Sequence, residues 1–186
     1  MLKNTLNIGG SNVGSGAAPY IIAEVGSNFD KDLDKARKLI DVARVAGANA
    51  VKFQLFRADV LYPDRDGLYD IFKSIELDAK WVPVLEKHAR DQGLHFLASA
   101  FDMGSVDVLE ALKTPAHKVA SSETTNLGFG FDTLVSCRAF KSMSMILISS
   151  HSLHPSHSHR YFYIMKAPLH HWGYLFYLSS QLRDNQ

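Results

Sequence analysis

Residues 49–56 read NAVKFQLF, a stretch with the composition of a buried β-strand that nevertheless carries two polar side chains, Lys52 and Gln54. The apolar side chains that alternate with them are Val51, Phe53 and Leu55. Successive side chains of a strand point to opposite faces, so the lysine and the glutamine share one face and the apolar residues share the other. The pattern predicts a strand that packs its apolar face against other elements and presents an amine and an amide on the opposite face.

Strand-like and helix-like segments alternate on both sides of this stretch, from residue 19 to about residue 126. The other predicted strands are YIIAEVG (20–26), LHFLASAF (94–101) and AHKVASSE (116–123), and the predicted helices lie within 30–48, 67–77, 78–93 and 105–113. We expect Asp78 and Ser105 to be the N-caps of the last two helices. Such alternation is typical of parallel βα units, so the sequence predicts an α/β fold of about four βα units.

Polar side chains lie toward the carboxyl end of all four predicted strands. They are Glu24 in the first strand, Lys52 and Gln54 in the second, Ser99 in the third, and Lys118, Ser121 and Glu123 in the fourth. Active sites of βα folds lie at the carboxyl ends of the strands. Lysines and serines there would bind a phosphate or a carboxylate, and glutamates could transfer protons. In any single strand these groups could instead form buried ion pairs, but their clustering over four strands favours a functional site.

The composition excludes several classes of protein. The chain has 186 residues, a formal net charge of +1, 46% hydrophobic and 21% charged residues, which is typical of a globular protein and gives no sign of nucleic-acid binding. One cysteine, Cys137, excludes an internal disulfide and a cysteine-based zinc site. Residues 1–18 are rich in Gly, Ser and Asn without the apolar core of a signal peptide, so we expect a flexible arm and a cytoplasmic protein.

Five segments, in this order and at this spacing, resemble the N-acetylneuraminate (sialic acid) synthase family. They are PYIIAEVGSN, AGANAVKFQLF, GLHFLASAFD, SVDVLEAL and HKVASSETTNL, and together they span about residues 19–127. The resemblance implies the N-terminal half of a (β/α)₈ TIM barrel. It also implies the condensation of phosphoenolpyruvate with N-acetylmannosamine or a related N-acyl amino sugar, with release of phosphate. A divalent metal, Mn²⁺ or Mg²⁺, is expected from the family.

The resemblance also implies roles for individual residues. Lys52, Lys118 and Ser121 would hold the phosphate and carboxylate of phosphoenolpyruvate, and Glu123 would place or deprotonate the attacking water. Glu24 and Gln54 would contact the sugar and the reacting centre, Ser99 would supply a hydroxyl, and Asn126 would close the loop after the fourth strand. Two positions depart from the family pattern, because Phe29 follows Asn28 and Lys31 stands where glycine is usual.

The composition changes after about residue 127. Residues 128–186 contain six of the nine histidines and only two acidic residues, and apart from SMILISS (144–150) they show no strand-like segment. The histidines that hold the metal in the family come from later strands and are not found here. We expect no metal site in the His/Ser-rich run, which offers neither fixed geometry nor supporting hydrogen bonds. An irregular tail, from truncation or a frameshift of a longer synthase, is the interpretation that this change favours.

Three functions remain open from the sequence. The first is an incomplete, phosphoenolpyruvate-dependent synthase acting on small molecules, without nucleic-acid or membrane partners. The second is a non-catalytic remnant that binds an anionic ligand or a partner subunit. The third is another barrel enzyme acting on sugar phosphates. A homodimer is possible, but family dimers usually form through a C-terminal domain that is not recognised in this sequence.

Overall fold

The computed structural model describes residues 5–14, 16–65, 67–120 and 123, and two short strands at 144–147 and 163–165. An antiparallel hairpin of β1 (Thr5–Ile8) and β2 (Ser11–Gly14) precedes the main sheet. The main sheet contains, in spatial order, β3 (Ile22–Gly26), β4 (Ala50–Leu55), β5 (His95–Ala100), β6 (Ala116–Val119), β7 (Ser144–Leu147) and β8 (Tyr163–Met165). Strands β3 to β7 are parallel in chain order, and β8 runs antiparallel to β7.

Helices connect the first four strands of this sheet. They are α1 (Leu33–Val45), α2 (Ala58–Leu61), α3 (Gly67–Ile75), α4 (Val82–Asp91) and α5 (Met103–Ala111), and a 3₁₀ turn (Ala79–Trp81) leads into α4. Parallel neighbouring strands in chain order, with helical crossovers, confirm the predicted α/β class and form part of a (β/α)₈ barrel. Within the described residues, no helix is both long enough and apolar enough to cross a membrane.

Acidic side chains set the starts of the helices. Asp32 accepts hydrogen bonds from the backbone N–H groups of Asp34 and Lys35 at the start of α1, and Asp78 accepts one from Lys80 at the 3₁₀ turn, as predicted. The predicted cap of α5 is wrong by one turn. The helix begins at Met103 because Asp102, not Ser105, is extended and accepts the capping hydrogen bond.

The two faces of the strands pack against different partners. On β4 the odd-numbered residues Val51, Phe53 and Leu55 are buried in the core between the sheet and the helices. The even-numbered residues face the barrel interior, which at the amino end of the strands is filled by Ile8, Ala50, Leu97 and Ala116. This is the division of β4 that its period of two predicts.

The hairpin closes the amino end of the barrel interior. Ile8 is completely buried there, and His95 stacks on Tyr20, whose hydroxyl lies 2.5 Å from His95 Nδ1. The Gly/Ser/Asn-rich composition predicted a flexible arm over residues 1–18, but residues 5–14 instead form this paired and anchored hairpin. Burial of Ile8 and a two-residue turn at Gly9–Gly10, where φ is positive at both residues, both favour this hairpin.

Candidate functional site

Backbone pairing arranges five interior residues in two rows at the carboxyl end of the strands. Glu24 pairs with Lys52 in the lower row, and Gln54, Ser99 and Lys118 are successive partners in the upper row. We call these five residues the barrel mouth. The structure thus brings together on one face at least one predicted site residue from each of the four strands.

Lys52 is the buried cation of the barrel mouth. Its Nζ lies 2.5 Å from Glu24 Oε2 and donates a hydrogen bond of 3.3 Å to Ser99 Oγ. The Lys52 side chain is almost inaccessible, whereas half of the Glu24 side chain is exposed. A buried ammonium needs such a partner, and Glu24 is the carboxylate that Lys52 contacts beneath the opening.

Lys118 is the second cation of the barrel mouth, and within the described residues it forms no ion pair. Partial burial and, to a smaller extent, repulsion from Lys52 together lower the pKa of Lys118 to about 8, against a smaller opposing attraction from Glu24. The five residues of the barrel mouth therefore carry two lysines and one carboxylate, Glu24. A bound anion would relieve both the repulsion and the lost hydration.

The position of Lys118 is fixed by the neighbouring residue on β6. His117 points to the other face of the strand, where its Nε2 lies 2.6 Å from Oε1 of Glu110 on α5. Both side chains are nearly buried, and burial lowers the pKa of His117 although Glu110 acts to raise it. This pair links α5 to β6 directly behind Lys118.

The remaining predicted site residues stand as follows. Gln54 Oε1 lies 3.5 Å from the hydroxyl of Ser27, at the outer limit of a hydrogen bond. Glu123 is partly buried in a turn after β6, and its backbone N–H donates to the Ala120 carbonyl. Ser121 and Asn126 lie outside the described residues.

Two further residues near this rim, Ser27 and Arg57, were not predicted. Ser27 follows β3 and contacts Gln54, while Arg57 follows β4 and reaches Asp102, which follows β5. Each comes directly after a strand, at the carboxyl end where sites of βα folds lie. That rule would have identified them had it been applied to the loops as well as to the strands.

The barrel mouth has the chemistry of an anion site. Two lysines and a serine hydroxyl supply donors for a phosphate or a carboxylate, and Glu24 supplies a carboxylate that can hold a proton at its exposed oxygen. The donor set does not fit a divalent metal, because Glu24 is already paired with an ammonium. Within the described ranges, no three His, Cys, Asp or Glu side chains lie close enough together to hold a metal.

Comparisons with known proteins agree with this architecture. The sequence profile of the NeuB family matches residues 39–142. The chain is 40% identical over 131 residues to the spore coat polysaccharide biosynthesis protein SpsE of Bacillus subtilis, a match that covers 64% of this chain and 35% of that protein. It is 34% identical over 130 residues to the N,N'-diacetyllegionaminic acid synthase of Legionella pneumophila, covering 62% of this chain and 36% of that one.

A solved structure shows the same fold. The crystal structure of an N-acetylneuraminic acid (sialic acid) synthetase from Leptospira borgpetersenii has a TM-score of 0.66 at 22% identity, and the match covers 81% of this chain and 61% of that chain. The chain spans about a third of the length of the curated relatives it matches.

Proposed function

Because the chain belongs to the NeuB family, we propose that its barrel mouth binds phosphoenolpyruvate for condensation with an N-acyl amino sugar. The observation that carries this proposal is the pair of lysines on β4 and β6, the two strands that flank β5. Only Lys52 of this pair has a carboxylate partner within the described part of the chain. A substrate with both a phosphate and a carboxylate supplies the negative charge that this arrangement lacks.

The proposed reaction assigns a task to each residue. Lys52 and Lys118, with Ser121, hold the phosphate and the carboxylate of phosphoenolpyruvate, and Ser99 orients Lys52 through their hydrogen bond. C3 of phosphoenolpyruvate forms a bond to the aldehyde carbon of the open-chain sugar, and the aldehyde oxygen takes up a proton. Glu24 and Gln54 lie at the mouth where they would contact that sugar.

The second half of the reaction releases phosphate. Water adds at C2 and loses its proton, for which Glu123 is the proposed acceptor. The tetrahedral carbon then expels inorganic phosphate and becomes the ketone of a nonulosonate, a sialic acid-type product. The divalent metal that the sequence resemblance implies has no ligand set among the described residues.

The identity of the sugar is a separate question. Relatives of this chain include synthases named for N,N'-diacetyllegionaminic acid, pseudaminic acid and N-acetylneuraminate 9-phosphate. We propose an N-acylated amino sugar in its open-chain aldehyde form as the substrate class.

Phosphate release tests the proposal directly. The full 186-residue chain is incubated with phosphoenolpyruvate, Mn²⁺ and a panel that begins with N-acetylmannosamine, and inorganic phosphate and the nonulosonate are measured. The proposal predicts sugar-dependent release that Lys118→Met abolishes. Phosphate release that does not depend on sugar, or that survives Lys118→Met, contradicts it.

The two lysines of the barrel mouth fit one alternative equally well, a domain that binds an anion without completing the reaction. Calorimetric titration with phosphoenolpyruvate separates the two functions. Binding at the barrel mouth without turnover by any sugar supports the alternative, whereas absence of binding rejects both.

A further inference from the structure

A cleft of about 560 Å³ lies on the helix-facing side of the sheet, near the carboxyl end of β4. Its walls come from the end of β4, the 3₁₀ turn and the first turns of α5. Leu55, which faces the helices, lines this cleft, whereas none of the five residues of the barrel mouth does. The cleft has the volume of a small-molecule site and is separate from the proposed substrate site.

The walls of the cleft are largely apolar. Phe56 and Trp81 contribute aromatic rings, and Leu77 and Val108 contribute aliphatic surface. Phe56 and Leu77 are buried, so this wall is part of the packed core rather than a mobile surface. Such a wall suits a flat hydrocarbon group of similar size.

The acidic groups at the cleft are already engaged by the protein. Glu76 Oε2 accepts a hydrogen bond of 2.8 Å from the backbone N–H of Ala58, and both of its oxygens accept from Lys73 Nζ. Asp78 accepts a hydrogen bond of 2.9 Å from the backbone N–H of Lys80. Neither carboxylate therefore needs a ligand cation.

Arg57, in contrast, has donors to spare. Its Nε lies 3.4 Å from Oδ1 of the buried Asp102, which Ser105 holds through its backbone N–H and its hydroxyl. Within the described residues the two terminal nitrogens of Arg57 have no acceptor, and 61% of the side chain is exposed. Asp102 thus orients the guanidinium and leaves its terminal pair of nitrogens available for a planar, bidentate acceptor.

Lys31 adds a second cation and occupies an unusual backbone conformation. Its φ is +52°, a left-handed value that favours glycine, yet this chain has lysine there and the residue lines the cleft. Among the described residues Lys31 forms no ion pair. Arg57 and Lys31 therefore lie beside the apolar wall with donors available, whereas the nearby carboxylates of Glu76 and Asp78 already accept hydrogen bonds from the protein.

We propose that this cleft binds a small aromatic monocarboxylate. The carboxylate accepts hydrogen bonds from the terminal nitrogens of Arg57 and interacts with the Lys31 ammonium. The ring packs against Trp81 and Val108, which line the cleft and are only partly buried. The inference does not depend on the proposed condensation, because it uses none of the barrel-mouth residues.

The test uses 4-fluorobenzoate as the probe and ¹⁹F NMR on the full chain, without phosphoenolpyruvate. Saturable binding is expected, and the neutral isostere 4-fluorobenzamide should bind at least tenfold more weakly. Arg57→Gln should weaken binding about tenfold or more, the effect of losing charged hydrogen bonds. No saturable binding at millimolar probe, or equal binding of the two probes, overturns the proposal.

Lys31→Gly is the decisive variant, because glycine accepts a φ of +52° without strain and the fold should be preserved. We expect about a two- to fivefold loss of affinity for 4-fluorobenzoate, roughly what one exposed charge contributes. The matched control is Lys113→Gly, since Lys113 has a φ of +54° and does not line the cleft. Equal affinities of the two variants would contradict a specific site at the cleft, as would wild-type binding by Arg57→Gln.

Discussion

The two ends of the barrel interior are built from the same strands but serve different purposes. At the amino end, Ala50 and Leu97 pack with Ile8 of the hairpin and exclude water. Two residues further along β4 and β5, at the carboxyl end, Lys52 and Ser99 form a polar network. Because side chains that share a face are two residues apart, a single strand supplies both ends. The residues that pack the amino end and those that form the polar network therefore lie about 7 Å apart along each strand, since each residue advances roughly 3.3 Å.

This comparison predicts that substitutions at the two ends have opposite signatures. Changes at the carboxyl end should alter ligand binding with little loss of stability. Changes at the amino end should alter stability with little effect on the affinity of the folded protein. A substitution at one end that changes both ligand affinity and stability would show that the two ends are coupled.

Lys118→Met should have the largest effect. It removes a cation from the barrel mouth, so phosphate release should fall about 10²- to 10³-fold and phosphoenolpyruvate affinity at least tenfold. The free energy of unfolding should stay the same or rise, because burial disfavours the charged form of Lys118. Coupled phosphate assays, calorimetry and urea denaturation measure the three quantities.

The control for this substitution is Lys113→Met, which removes an exposed lysine after α5 and should leave both binding and stability unchanged. A clear loss of stability in Lys118→Met would show that the lysine is a structural group rather than a ligand-binding one.

Ile8→Ala should have the largest effect at the amino end. Ile8 is fully buried between the hairpin and the interior face, so its truncation should lower the free energy of unfolding by about 2–4 kcal/mol. Ile21→Ala is the matched control, because half of Ile21 is exposed and the loss should be below about 1 kcal/mol. Urea denaturation gives both values. Weaker phosphoenolpyruvate binding by folded Ile8→Ala would mean that the two ends are coupled.

The barrel mouth was the more predictable of the two ends. The alternation in residues 49–56 places Lys52 and Gln54 on one face whatever the tertiary structure, and parallel βα order then brings Ser99 and Lys118 alongside. The partnership of Lys52 with Glu24, and not with another acid, depends on the register between β3 and β4, which the sequence does not specify.

The hairpin was missed although its sequence contains a signal. Leu6, Ile8 and Val13 alternate with polar residues around Gly9–Gly10, a pattern typical of a two-residue hairpin turn. The high content of Gly, Ser and Asn outweighed it. Burial of Ile8 beneath the sheet is a tertiary contact that local composition cannot show.

Gly9→Ala should have a smaller effect than Ile8→Ala, but a more specific one. A Cβ at Gly9 would lie 2.5 Å from His95 Nε2, and the ring cannot move freely because it is stacked on Tyr20 and hydrogen-bonded to its hydroxyl. We expect a loss of about 1–3 kcal/mol in the free energy of unfolding.

The control for Gly9→Ala is Gly93→Ala, at a φ of +73° with no atom near the added Cβ. Gly9 has a φ of +55°, closer to the left-handed region that alanine tolerates, so backbone strain alone predicts the smaller loss at Gly9. A larger loss of unfolding free energy at Gly9 than at Gly93 is therefore due to the contact with His95. The double variant Gly9→Ala/His95→Ala should recover part of that free energy. Equal losses at Gly9 and Gly93 would mean that the ring does not hold the hairpin.

The smallest expected effect is the pH dependence of anion binding at the barrel mouth. The pKa of Lys118 is lowered to about 8, so at pH 8 about half of the free protein carries a neutral Lys118. A bound phosphate or carboxylate favours the ammonium and raises that pKa, so binding takes up as much as about half a proton at pH 8. Above pH 8 the proton must be supplied from solvent, and affinity should fall about tenfold between pH 7 and pH 9.

Calorimetry of phosphoenolpyruvate binding at pH 8, in buffers with different heats of ionisation, measures this uptake. Lys118→Met should abolish it, and Lys113→Met should retain it. Proton release on binding, or uptake that persists in Lys118→Met, would assign the titrating group elsewhere. Lys118 would then not be the group that recognises the anion, and Lys52 could not replace it because Lys52 already contacts the Glu24 carboxylate. The barrel mouth would no longer be distinguished from the amino end by a cation available for a ligand.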